Sequence, residues 1–347
     1  MRRIAVVLFN LGGPDGPDAV QPFLFNLFKD PAIIGLPNPL RWLVAKLIST
    51  RRAPVAREIY AHLGGGSPLL GLTREQATAL EAALAGGDDA VKAFVCMRYW
   101  HPMSDAVAAD VKAYNPDEIV LLPLYPQFST TTSASSLKDW RRAAAAAGLN
   151  APTRTVCCYP SDPGWIQAQT ALVRGALAEA PAGTPARVLF SAHGLPKKVV
   201  DAGDPYQWQV ERTAQAVAAG LAPDTDWNVC YQSRVGPLEW IGPSTEAELE
   251  RAAKDGTGVV VVPIAFVSEH SETLVELDIE YRERAEHLGI PFYIRVPAVA
   301  TEGAFIDGLA AIVRRSLAGP EVLACGEGDG GRICPQAHTG CPLAART

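Results

Sequence analysis

Apolar runs of strand length alternate along the chain with longer segments whose apolar residues recur at helical spacing. That alternation predicts an α/β fold with a mostly parallel sheet. Strands are predicted at residues 4–10, 93–99, 118–125 and 153–159, and again at 187–192, 227–231, 258–266 and 292–296. The two sets rhyme. VVLFNLGGP resembles VLFSAHGLP, and FVCMRY resembles NVCYQSR, with a cysteine inside the strand and a polar exit. IVLLPLYPQFSTTTSAS likewise resembles VVVVPIAFVSEHSETL. From third to fourth strand the interval is about 35 residues in both halves, and four matched elements in one order indicate an internal duplication. The pattern predicts two four-stranded, doubly wound domains.

The halves differ between their first and second strands, where the first carries roughly 80 residues and the second about 35. Within this insertion a helix is predicted over residues 40–49, whose apolar Leu40, Trp42, Leu43, Val44, Leu47 and Ile48 are too many for one narrow face. It either packs over the sheet or forms an exposed apolar lip, ending at Arg51 and Arg52, against a flat ligand or a membrane surface. Thr73-Arg-Glu-Gln76 reads as a capping box, predicting a helix from there to about Leu84. Residues 321–347 are rich in Gly, Cys and Pro without periodicity, too short to build a core of their own.

Composition narrows the function. A formal net charge of −6 over 347 residues lacks the basic footprint of nucleic-acid binding. No run of apolar residues is long enough to span a bilayer. The β-branched run after Met1-Arg-Arg ends at Gly-Gly-Pro and reads as a first buried strand, not a signal peptide. A cytoplasmic protein with reduced cysteines is expected, touching a membrane peripherally at most, and its oligomeric state is left open. Seven cysteines then need an explanation.

Ligands of open α/β sheets bind beyond the carboxyl ends of the strands. Three polar clusters fall there in the second half: Phe190-Ser-Ala-His193-Gly-Leu-Pro, Tyr231-Gln-Ser-Arg234-Val-Gly-Pro, and Ser268-Glu-His270-Ser-Glu272 at a helix start. Parallel strands bring all three loops to one rim, so His193 and Glu272 can face a common cavity. An imidazole titrates near neutrality and Glu272 in a first helical turn stays ionised. The pair can accept protons or bind a borderline divalent ion weakly, and a purely structural hydrogen bond remains the other reading. GxGxxG after a strand, a P-loop, GxSxG and HExxH are all missing, which demotes nucleotide chemistry and serine hydrolysis.

With these motifs in hand, the chain resembles the ferrochelatases, which insert ferrous iron into a porphyrin. The resemblance rests on LFNLGGP, YAHLGGGSPL, MRYWHP, LYPQFS, FSAHGLP, YQSRVGPLEWIGPST and VPIAFVSEHSETLVELDIEY, in order across nearly residues 1–310. It implies an α/β fold of two similar Rossmann-like domains with a cleft between them. The first spans 1–165 with its lip insertion at 12–90; the second, 166–317, carries His193 and Glu272; a Cys-rich extension fills 318–347. It further implies protoporphyrin IX and Fe²⁺ as substrates, and protohaem with release of two protons. Coproporphyrin III is the close variant, although SEHSETLVELDIEY looks more like the protoporphyrin group. A haem-transfer protein that has lost catalysis is the reading from another class. By resemblance His193 is metal ligand and acceptor of pyrrole protons, Glu272 its acidic partner, and His270 part of the same network. Arg98 and Tyr99 match residues lining the inner cavity, and Trp240 one packing near the porphyrin. Phe28, Tyr60, Arg51 and Arg52 match the lip and its propionate-facing edge. Leu11 stands where animal members carry Met, and Val55 where they carry a basic residue.

Cys96 and Cys230 occupy equivalent places in the repeated strands and read as core thiols. The tail spacing C-x8-C-x6-C matches no zinc-finger pattern. Many ferrochelatases hold a [2Fe-2S] cluster with three cysteines of a C-terminal extension and one of the body. The resemblance thus implies Cys325, Cys334 and Cys341 as three ligands, and by count of the remaining cysteines the fourth thiolate comes from the Cys157, Cys158 pair. Strand alternation lets only one of that pair face the tail, and Cys158 is chosen. A free-thiol tail or a structural zinc is the alternative.

Overall fold

The computed structural model describes every residue except Val235 and residues 345–347, so one position of the 231–237 loop and the last three of the extension lie outside the described residues. In chain order the elements are β1 (Arg3–Asn10), α1 (Val20–Lys29), α2 (Leu40–Ala61), α3 (Leu69–Leu84), β2 (Ala90–Met97), α4 (Ser104–Tyr114), β3 (Glu118–Pro123), α5 (Ser133–Ala147) and β4 (Thr153–Val156). There follow α6 (Pro163–Ala178), β5 (Ala186–His193), α7 (Lys197–Asp201), α8 (Tyr206–Ala218), β6 (Asp226–Gln232), α9 (Thr245–Asp255) and β7 (Gly258–Pro263). A π-helix (Glu272–Glu280), α10 (Tyr281–His287), β8 (Tyr293–Arg295), α11 (Gly303–Ala318) and β9 (Leu323–Ala324) complete the chain. Contacts divide it into two units, Met1–Cys158 with Leu309–Gly331, and Tyr159–Gly308 with the described residues from Arg332 onward.

The first unit is a parallel sheet of order β2-β1-β3-β4-β9, the second a parallel sheet of order β6-β5-β7-β8. Their shared 2-1-3-4 succession is the duplication seen as topology. Phe9 lies opposite Cys96 and Pro123 as Ser191 lies opposite Cys230 and Pro263. Central strands β3 and β7 are buried at every position, and β1 at every one after Arg3, which their continuous apolar runs require of strands covered on both faces. Each such Val, Leu or Ile contributes about 1.5–3 kcal/mol through burial.

Three expectations change. Sheet one has five strands, not four, because Leu323 and Ala324 pair with Thr155 and Val156. A two-residue edge strand carries no periodicity to read. The 40–49 helix runs on to Ala61 through the exposed Pro54. It buries a stripe of small residues, Ala45, Ser49 and Ala53, while Leu40, Trp42, Leu43 and Leu47 are 45–55% exposed. These four side chains lie outward and are not packed over the sheet. Finally, α3 begins four residues before the expected cap: Thr73 sits inside it, its hydroxyl donating to Leu69 O at 2.6 Å and accepting from Asn10 Nδ2 at 3.1 Å. A threonine bonding back to the i−4 carbonyl mimics a cap in sequence only.

Candidate functional site

In the second unit the ladder carries His193 to the last position of β5, opposite Gln232. The chain turns at once through Gly194, where a Cβ would lie 3.0 Å from Gln232 O and 3.3 Å from Trp240 Cε3. Glycine there lets the half-buried Trp240 pack over the turn, where it also bridges to Pro196. Glu272 enters from the first turn of the π-helix, a wide turn concentrated at functional sites. His193 Nδ1 and Glu272 Oε2 are 2.7 Å apart, although 79 residues separate them in sequence. Their side chains are 40% and 24% exposed, so the pair is open to a reactant.

Behind them lie groups the sequence did not single out. Ser233 adopts the left-handed region (φ 61°), where its N–H donates to Glu276 Oε1 at 2.7 Å and its hydroxyl reaches Glu276 Oε2 and Glu272 Oε2. Gln232 Nε2 donates to Glu276 at 3.2 Å while its carbonyl accepts from the buried Ser191 hydroxyl at 2.8 Å. Glu276 follows Glu272 by one turn, which was the available signal. Burial alone would lower the His193 pKa, but Glu272, and then Glu276, more than offset it and the net shift is upward. Burial pushes Glu272 up, and the charge and hydrogen bond of His193, with smaller help from His270, bring it well below the usual carboxylate range. Glu276 is raised, by burial and by Glu272. One carboxylate is therefore kept ionised against a strengthened base while the next holds a proton more readily. His270 is buried, its ring 4.7 Å from Phe266 and its Nδ1 without a hydrogen-bond partner among the described residues. Burial lowers its pKa, so the two histidines are set apart in basicity.

In the first unit Asp30, 4% exposed, organises the expected Arg98 and Tyr99. Its Oδ2 accepts from Arg98 Nη2 at 2.7 Å, from the Tyr99 hydroxyl at 2.9 Å and from Ser135. Tyr99, expected on a cavity wall, is 1% exposed with its hydroxyl spent on Asp30, and Tyr60 is 8% exposed in the same apolar cluster. Arg98 keeps an accessible edge (16%) and lies 4.9 Å over the Tyr99 ring. Arg52 lies over the Phe28 ring at 5.9 Å, and both Arg51 and Arg52 are exposed. In the repeat, Arg98 and Tyr99 stand where Gln232 and Ser233 stand, one and two residues past the strand pairing of Asn10 with Met97 or Ala192 with Tyr231.

The cysteines separate by environment. Cys96 and Cys230 are core thiols, each pushed up to about 12 by burial. Cys158 Sγ lies 3.8 Å from Cys325 Sγ in the first unit; in the second, Cys334 Sγ accepts from Gln209 Nε2 at 3.2 Å and Cys341 is buried. Contrary to expectation, strand alternation does not separate Cys157 from Cys158: β4 ends at Val156 and their sulfurs are 3.3 Å apart. Four buried thiols are the donor set that an iron–sulfur cluster takes, though among the described residues no three His, Cys, Asp or Glu side chains form a metal-ion group.

A family profile described as Ferrochelatase matches residues 3–317. Ferrochelatase of Caulobacter vibrioides is 59% identical over 91% of this chain and 91% of its own. That of Phenylobacterium zucineum is 54% identical over 98% and 97%. Among solved structures, SirB from Bacillus subtilis with Fe³⁺ superposes with a TM-score of 0.55 at 12% identity, covering 91% of this chain and 96% of that one. At that identity it speaks for the fold alone. The profile, the identities and the loops bearing His193 and Glu272 converge: the chain belongs to the ferrochelatase family.

Proposed function

We propose that His193 and Glu272 are the working pair of a reaction in which ferrous iron replaces two protons of protoporphyrin IX. Insertion of iron into a porphyrin in haem synthesis is the activity of the family to which the chain belongs. Free-base porphyrin carries two pyrrole N–H groups, and both protons must leave as the metal enters. His193, made more basic by Glu272, is suited to take them one at a time. Glu272, held ionised, stabilises the imidazolium and offers an oxygen to the substrate iron, while Glu276 offers a next place for a proton. Arg98, fixed by Asp30, gives a cationic edge for the porphyrin, with Phe28, Arg51, Arg52 and Trp240 as further contacts. The observation that carries this reading is the 2.7 Å contact between two half-open side chains that the fold brings together.

The Cys-rich extension is assigned, on donor chemistry, to a [2Fe-2S] cluster ligated by Cys158, Cys325, Cys334 and Cys341. The exposed apolar face of α2 is assigned to peripheral contact with a membrane surface. Purified protein, assayed anaerobically with Fe²⁺ and protoporphyrin, is expected to form protohaem; binding of porphyrin without metal insertion would overturn the reading.

A further inference from the structure

Between β7 and β8 the chain passes through His270, the π-helix and α10 before returning to the sheet. At the last position of β8 stands Arg295, opposite Val261 and 10% exposed. Its Nη1 donates to Glu269 Oε1 at 2.8 Å, and its Nε lies 3.2 Å from Asp278 Oδ2. Those carboxylates bracket the working stretch: Glu269 directly precedes His270, and Asp278 lies in the π-helix beyond Glu272 and Glu276. We propose that Arg295 is a positioning residue that, by gripping Glu269 and Asp278 together, holds Glu272 in contact with His193. This rests on the reading of that pair as the working one.

Three features carry the inference. Both carboxylates are otherwise anchored, Glu269 by Ala298 N–H at 2.9 Å and Asp278 by Arg282 Nη2 at 2.6 Å, so the clamp is stiff. Arg282 and Tyr293 add ties from α10 and β8 to backbone carbonyls across the same gap. Arg295 and Glu269 are 10% and 17% exposed; taking such charges out of water is costly and apolar residues of like size often hold a fold as well, which favours a geometric role for the cluster. A π-helix, with its wide and poorly bonded turns, also needs support from outside itself. Glu272 receives hydrogen bonds from the side chains of His193 and Ser233, leaving its place to be set by the helix that carries it.

Arg295→Met should lower kcat about 10–100-fold, the usual cost of losing support behind a metal or catalytic ligand, with KM for protoporphyrin within about twofold. Arg295→Lys, able to grip one carboxylate but not fork across two, should recover part of the loss. Amides of residues 270–280 should exchange faster while those of β5 and β7 keep their protection. Added to Glu272→Gln, Arg295→Met should cost nothing further, because it acts through the same carboxylate. A wild-type kcat in folded Arg295→Met, or a loss that adds in full to that of Glu272→Gln, would overturn the proposal. If Arg295→Met does not fold, Glu269→Gln, which leaves the Asp278 contact in place, is judged by the same criteria. Full activity of Glu272→Gln would instead sink the working-pair reading itself.

Discussion

His193 and Glu272 make opposite demands on pH. The histidine pKa is raised above its ordinary 6.5, so the stability it lends is complete below that value and is lost as pH climbs through the folded pKa. Glu272 is lowered, so its contribution is present above the ordinary carboxylate value and is lost as pH falls. As a proton acceptor His193 must be neutral. The acid limb of kcat/KM should therefore lie above pH 6.5. Glu272→Gln removes the larger of the two charges that raise it, leaving burial and the weaker pull of Glu276, so the limb should move to lower pH; a limb that moves upward or stays would refute the electrostatic assignment. At this scale the sequence was informative where chemistry follows a strand: His193, His270 and Glu272 were legible as loop residues on one rim. Ser233 fell within a cluster on that rim without its role being readable, and Glu276 and Asp30 were not legible, because their importance lies in partners far along the chain.

Elements were harder to bound than to find. Over its first half α2 buries the small Ala45, Ser49 and Ala53, with Tyr60 buried near its end, while Leu40, Trp42, Leu43 and Leu47 face outward. Ordinary amphipathic reading assumes the reverse. Leu36, Leu40, Trp42, Leu43 and Leu47, bordered by exposed Lys46, Arg51 and Arg52, make a surface suited to an anionic bilayer. Flotation with phosphatidylglycerol-containing vesicles should carry the protein upward, and Trp42→Ser with Leu43→Ser should abolish this; absence of flotation for the wild type would contradict it. Close helix packing makes a second prediction. A Cβ on Gly308 of α11 would come within 2.6 Å of Asp162 Oδ1, the group that caps α6 through the N–H groups of Gly164 and Trp165. Gly308→Ala should cost about 1–3 kcal/mol, read as a lower melting temperature; an unchanged melt would show that the helices can separate freely.

Across the whole molecule the duplication was legible because both copies keep their buried strands, their in-strand cysteine and their strand-ending proline. The fifth strand was not, since two residues carry no pattern, yet it brings Cys325 beside Cys158. If the extension holds a cluster, the isolated protein should be coloured by sulfur-to-iron absorption in the visible range, and Cys341→Ser should bleach it. Colourless wild-type protein, or a spectrum unaltered in Cys341→Ser, would remove that ligand set. None of this bears on the central claim, that the imidazole paired with Glu272 takes the pyrrole protons. The direct measurement is His193→Ala, assayed anaerobically for iron insertion beside a fluorescence titration with protoporphyrin IX. Porphyrin should bind with near wild-type affinity and no haem should form; iron inserted at the wild-type rate would contradict the role given to His193.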